Sequence, residues 1–479
     1  MSHPVPTSPP VPQAGPAESR RWLALALLCV AQFMLILDVT VVNVALPAVA
    51  ADLGAGREAL TWVVSAYVLT FGALMLLGGR LADALGRRRT LLAGITVFTL
   101  ASLAAGLATG TTMLIAARVA QGVGAALLSP AALSVITTTF HGAERNRALG
   151  VWAALGGSGA AVGVLLGGVL SSGPGWQWIF YVNVPVGAAI LVLLPAVVPA
   201  YRPLPGAGRP DVAGALLATA GLAALVYGLI EAGEAGWAGA RAVVPMVLAG
   251  ILLTLFVAVE RTVRNPLLRL ELLQRRPVVS GTFVMLTASA LMLAFFFLSS
   301  LYLQGVLGFS PLRTGVTFLP VAVAITAGAH LASRLVGRVG GRPVVAGAFL
   351  LTAFCAAMLT RLTPESSGYT DLLPWFTVAA FGTGAAFVVA TTTTMANVAP
   401  HEAGLTSGII TTFHEIGGSV GVAVVSAVAA GSIGAGVSSA AGFADAFSVS
   451  AVGAVVAAVA ASRLVPAGRV AGAVAGHGH

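Results

Sequence analysis

Residues 79–94 read GRLADALGRRRTLLAG, and residues 333–347 read SRLVGRVGGRPVVAG. Arg80, Leu81, Gly86 and Arg88 in the first stretch pair with Arg334, Leu335, Gly340 and Arg342 in the second, at one constant offset. Each stretch is a short arginine-rich connection between two long apolar runs. A second echo has nearly the same offset: Gly150, Gly159 and Gly163 match Gly408, Gly417 and Gly421. One coincidence is unsurprising in a chain with 58 glycines. Two, at matching places between matching runs, argue for a duplicated unit.

The runs themselves set the solvent. The chain has 479 residues, 58% of them hydrophobic and 9% charged, with a mean hydropathy of +0.96. A soluble chain of average make-up carries about 25% charged residues. About 20 apolar residues in a helix span a 30 Å hydrocarbon core. Breaks at charges, Gly and Pro divide the chain into about fourteen such spans, beginning near Trp22, Leu60, Thr90, Thr112, Ala148, Trp178, Val212, Ala242, Gly281, Gly315, Pro343, Leu373, Leu405 and Ala446. The expected fold is an all-α integral membrane protein with two six-helix halves and two additional central helices. The expected divisions are a disordered tail at 1–19, a first six-helix bundle at 20–200, the extra pair at 201–264, a second bundle at 265–465 and a tail at 466–479.

Charge gives the direction of threading. All 25 basic residues are arginine. Only Arg57, Arg241, Arg313 and Arg361 fall on the face opposite the N-terminus, so the positive-inside bias places both termini in the cytoplasm. A net charge of +9 in such clusters orients a membrane protein rather than binding nucleic acid, which needs a basic face on a soluble fold. Arg20-Arg21 followed by an apolar run resembles a signal peptide. The run is too long for one, and many more follow, so cleavage is not expected. Cys29 and Cys355 lie in apolar segments and read as small hydrophobes.

A few polar residues interrupt the spans. Asp38, in LDVTVVNVALP (37–47), lies well inside the first span, where a carboxylate costs roughly 3 kcal/mol or more. It is a functional candidate, unless a neighbouring helix merely satisfies it. Arg118 lies inside the fourth span, where a permanent cation needs a partner or water; it could pair with a carboxylate or lower that carboxylate's proton affinity. Gln121 lies one turn on. Glu415, beside His414 in TTFHEIGGS, is deep in the thirteenth span. Asn43, Gln121, His414 and Phe296 are candidates for a substrate cavity, although Asp38 points about 120° away from the Gln32/Asn43 stripe. Not all of them can face one narrow cavity.

Several motifs together resemble the fourteen-helix drug:H⁺ antiporters of the major facilitator superfamily. GGRLADALGRRRTLL is similar to that superfamily's loop motif, with Ala84 where a basic residue is usual. LDVTVVNVALP resembles the first-helix signature, RVAQGVGAA (118–126) the fourth-helix motif of proton-coupled members, and WQWIFYVNVPVG (176–187) a sixth-helix signature with Gln177 where arginine is commoner. Gly150, Gly159, Gly163 and Gly167 have the antiporter spacing, but Val164 replaces the usual proline. The resemblance implies a proton-driven exporter of hydrophobic or amphiphilic drugs or antibiotics in the cell's inner (plasma) membrane, working as a monomer with no cofactor beyond the proton gradient. Asp38, Arg118 and Glu415 would handle the proton. Gly79, Asp83, Gly86, Arg87 and Arg88 would form a cytoplasmic latch. Gly159, Gly163 and Gly167 on the fifth span would pack against Gly417 and Gly421 on the thirteenth.

Other classes fare worse. A P-loop needs lysine, and the chain has none; a Schiff-base enzyme fails likewise. Metal chemistry would want clustered His, Cys and carboxylates, and the seven histidines are scattered. A proton-coupled importer of a small solute stays open, as does a dedicated self-resistance exporter with one narrow substrate.

Overall fold

A computed structural model describes residues 18–140, 142–198, 211–264, 266–268, 270–395, 398, 403–430 and 441–467. The tails at 1–19 and 466–479 fall largely outside them. The long helices in chain order are α1 (Glu18–Leu53), α2 (Arg57–Leu85), α3 (Arg87–Gly106), α4 (Thr111–Thr139), α5 (Gly142–Ser172), α6 (Trp178–Val197), α7 (Val212–Ala235), α8 (Ala240–Thr262), α9 (Arg276–Leu301), α10 (Pro311–Val339), α11 (Gly341–Leu359), α12 (Leu373–Met395), α13 (Ala403–Val428) and α14 (Ala441–Leu464). Thirteen of these regions are long and apolar enough to cross a membrane. The 31-residue α5 brings the number of long helices to fourteen among the described residues.

The duplication is visible in the backbone. Gly86 alone separates α2 from α3, with φ 96°, and Gly340 alone separates α10 from α11, with φ 87°. Side chains rarely adopt that conformation, so glycine is what lets each chain reverse without a loop. Packing repeats as well. Gly159, Gly163 and Gly167 of α5 lie against Ile36, Thr40 and Val41 of α1, while Gly417 and Gly421 of α13 lie against the Leu286 and Ala290 carbonyls of α9. Helices in lipid associate through such close backbone approach, because the surrounding tails are as apolar as leucine.

These contacts correct one expectation. α5 and α13 do not pack on each other; each packs on the first helix of its own half. Across the halves α5 meets α10, and α13 meets α2. Two equivalent helices in a pseudo-twofold assembly lie on opposite sides of its axis, so the shared glycine pattern marks equivalent surroundings rather than mutual contact.

The halves are bonded at the face opposite the one where α1 begins. Ser300 Oγ donates to the Asn43 carbonyl at 2.6 Å, and Gln304 Nε2 to the Val44 carbonyl at 2.8 Å. Leu312 N donates to Ser172 Oγ at 2.9 Å, and the Thr61 and Ser426 hydroxyls meet at 2.5 Å. The additional pair α7–α8 is a hairpin applied to the α2–α13 seam, where Leu222, Val226, Leu229 and Ile230 pack with Leu69, Ala73 and Ala423. Its outer helix, α8, presents Val244, Val247, Leu248, Ile251 and Leu255 outward, a surface suited to lipid.

Candidate functional site

The fourth-helix motif places Arg118 and Gln121 one turn apart on the buried face of α4, the spacing at which helix side chains are neighbours. Arg118 is 1% exposed and forms an ion pair with Asp38, also 1% exposed. Its Nε donates to the Val63 carbonyl of α2 at 2.9 Å, and its Nη1 also donates to Gln121 Oε1 at 2.8 Å. Gln121 Nε2 donates to Asp38 Oδ1 at 3.0 Å and to Ser102 Oγ at 2.8 Å. Asn183 Nδ2, from α6, reaches the same Asp38 oxygen at 3.2 Å. The guanidinium lies 4.4 Å over the Tyr67 ring, a placement that adds a cation–π attraction.

Five helices thus contribute to one network around this carboxyl, two of them bonding it directly. Arg118, Gln121 and Asn183 are all donors, so the lone pairs of Asp38 are well used. That is the arrangement a desolvated ion pair needs to be tolerable. The isolated candidates Asp38, Arg118 and Gln121 prove to be one network. Gln121 is wholly enclosed within it.

Asn183 and Ser102 were missed by the sequence reading. The signal for Asn183 lay inside the sixth-helix stretch: a polar residue two places before Pro185. Proline has no N–H to bond the carbonyl four residues back, and the helix is interrupted at Val182. Asn183 then opens the second segment with its side chain turned inward. Ser102, in an apolar stretch of α3, carried no such signal.

Glu415 occupies a different setting. It is 9% exposed, on the face of α13 that meets α2, where a Cβ on Gly72 would collide with its own Cβ. Among the described residues it has no hydrogen-bond or ion-pair partner. The Tyr67 phenol is within coulombic reach of both Asp38 and Glu415, so the two acids flank one side chain of α2. His414, on the neighbouring position, packs its ring against Phe387 at 5.3 Å.

The remaining candidates divide. The Asn43 side chain bonds its own helix at the Val39 carbonyl, 2.8 Å away, and leaves a buried Oδ1 without a partner. Phe296 is enclosed by Phe318 and Phe376, with ring centroids 5.4 and 5.1 Å away. In this conformation it belongs to the packing of the second half rather than to a cavity wall. In the loop motif, Arg87 donates to Thr138 Oγ1 of α4 at 2.8 Å, and Asp83 is within coulombic reach of Arg87 and Arg80. Arg80 donates to the Pro266 carbonyl at 2.6 Å, which ties α2 to the segment after α8. Arg88 is half-buried. The close α2–α4 approach falls at Gly78, against the Ala126 carbonyl, while Gly79 has more room.

Comparison with known proteins places this geometry. The family model for the Major Facilitator Superfamily matches residues 28–422. The puromycin resistance protein pur8 of Streptomyces alboniger is 43% identical over 413 residues, covering 85% of this chain and 81% of its own. The cephamycin export protein CmcT of Amycolatopsis lactamdurans is 40% identical over 407 residues, covering 84% and 83%. Among solved structures, a bacterial homologue of the human lysosomal transporter Spinster, in an inward-facing and unoccupied conformation, superposes with a TM-score of 0.65 at 17% identity, over 94% of this chain and 98% of that one.

Proposed function

The chain belongs to the major facilitator superfamily, and from that premise we propose that it exports hydrophobic or amphiphilic drugs or antibiotics across the plasma membrane in exchange for protons. Identity of 43% and 40% to a puromycin resistance protein and a cephamycin export protein is the observation that carries the export reading. Both relatives are named for a single antibiotic, which favours a narrow self-resistance exporter as the second reading.

The coupling follows from the buried acids. Glu415 lies on the seam between the halves without a counter-ion among the described residues, so its protonation changes the charge buried there. Rocking of the halves opens and closes that seam, which gives the proton access from one side at a time. Asp38 is held by Arg118 inside the first half. A proton delivered to Asp38 would release Arg118 from its counter-ion, and the freed cation would then need a new partner or water. On this reading both termini lie in the cytoplasm, the working unit is a monomer, and the divisions at 20–200 and 265–465 are the moving parts, with the hairpin of 201–264 beside them. The bonds between Asn43 and Ser300 and between Val44 and Gln304 then hold the halves together on the external side.

The test is uptake of a fluorescent cationic dye, and separately of puromycin, into everted vesicles with an acid interior. Uptake that collapses with a protonophore, and that is lost in Glu415→Gln while the variant stays folded, is the expected result. Export that persists unchanged without a gradient would sink the proton-exchange reading. Accumulation of neither compound, with folded protein, would point to a narrow exporter of another compound or to an importer.

A further inference from the structure

The segment between α8 and α9 frames a groove of about 570 Å³, lined by Glu260, Arg261, Arg264, Leu270, Glu271 and Arg275 among others. It opens on the face of the molecule where α1 begins. The two oxygens of Glu260 are occupied by the backbone N–H groups of Leu267 and Leu268, at 3.3 and 2.9 Å. That acid is buried in the wall of the groove, with both oxygens already used. Arg261 and Arg264 are exposed, and among the described residues neither is paired with a carboxylate. Together they outnumber Glu271, the exposed acid of the lining, so the mouth of the groove is cationic.

A second observation says what kind of anion would come. The outward stripe of α8 runs through Val244, Val247, Leu248, Ile251, Leu255 and Ala258, at helical spacing, and its next position is Arg261. An acyl chain lying along that stripe would bring its headgroup to the groove. A soluble anion would have no use for the stripe.

We propose that this groove binds the phosphate headgroup of an anionic phospholipid, with an acyl chain laid along α8. The site is formed by the end of α8 and the segment that leads from it to α9. The Arg80 bond to the Pro266 carbonyl joins its rear wall to the loop motif of α2. Basic pockets at the cytoplasmic ends of membrane helices hold anionic headgroups through charge at short range, about 1 kcal/mol for each arginine.

The experiment is native mass spectrometry of the full chain in detergent, titrated with phosphatidylglycerol or phosphatidylcholine of matched acyl chains. Wild type is expected to retain one phosphatidylglycerol in clear preference to phosphatidylcholine. Arg261→Gln/Arg264→Gln should bind it roughly thirty-fold more weakly, about fivefold for each arginine. Arg334→Gln/Arg338→Gln, which removes two exposed arginines of the same face outside the groove, should bind as wild type does. Equal retention of the two lipids would overturn the proposal. So would equal weakening by both double variants, which would mean diffuse attraction to the whole face. Displacement of the lipid by millimolar inorganic phosphate would reassign the groove to a free anion. None of these outcomes depends on whether the chain exports drugs.

Discussion

Asp38→Asn is the simplest neutralisation of the buried acid, and the structure says that it does more than remove a proton site. The asparagine can still accept from Gln121 and Asn183, so the hydrogen-bond network survives in part. What it cannot do is balance Arg118, which is 1% exposed and has no other acid bonded to it. Removing one partner of a buried pair costs about 3–5 kcal/mol, because the survivor stays charged and desolvated. That is about two to four powers of ten in the folding equilibrium. Arg118→Gln should cost a similar amount by stranding the carboxylate. The double variant removes both charges, leaves two amides that can bond each other, and should cost no more than either single change. Unfolding in mixed micelles, followed for wild type, both single variants and the double, gives the coupling directly. We expect at least about 2 kcal/mol of it. If the two single costs simply add, within about 0.5 kcal/mol, the pair is not an energetic unit and the account of the site fails. The double variant is also the fair test of transport, since a folded protein lacking both charges separates loss of coupling from loss of fold.

Glu415→Gln should be nearly silent in stability, within about 1 kcal/mol, because no described partner is lost; a cost as large as that of Asp38→Asn would mean that it is ion-paired. Gly163→Val should cost about 1–3 kcal/mol or more by overpacking α1 against α5, since an added Cβ meets the Thr40 hydroxyl. Gly250→Ala on the outward face of α8, where an added Cβ meets nothing within 4 Å, should instead stabilise by roughly 0.5–1 kcal/mol; thermal unfolding of the two variants would reverse that order if the packing were misassigned. Ser300→Ala/Gln304→Ala removes the side-chain bonds to the Asn43 and Val44 carbonyls, and should raise the labelling rate of a cysteine placed at Asn43, which keeps its carbonyl, by a membrane-impermeant thiol reagent from outside. An unchanged rate would mean that those bonds do not hold the external side closed.

Much of this molecule could be read from its residues, for a physical reason. Hydrocarbon forbids unsatisfied backbone and unpaired charge, so span length, arginine placement and the rare intramembrane acids are all heavily constrained. Asp38 and Arg118 stood out for that reason, each demanding a partner. That they were partners of each other needed geometry, because they are 80 positions apart and the fourth span offers no clue to which helix its cation faces. Glycine stripes were legible as sites of close approach and illegible as to what approaches. A missing side chain says that something is near, and any backbone will do. Ser102 and Tyr67 show the remaining limit: a small hydroxyl or a phenol is ordinary in a membrane helix until an ion pair is found beside it.

The lateral hairpin has an evolutionary corollary. α6 ends and α9 begins on the same face, so the chain between them has only to come back to where it left. Any insertion that crosses an even number of times meets that condition, and one with an odd number would deliver the second half upside down. α7 and α8 lie against the seam without supplying a residue to the Asp38 network, and the Asn43–Ser300 and Ser172–Leu312 bonds are made without them. The hairpin is in that sense a graft on a twelve-helix machine whose two halves meet without it.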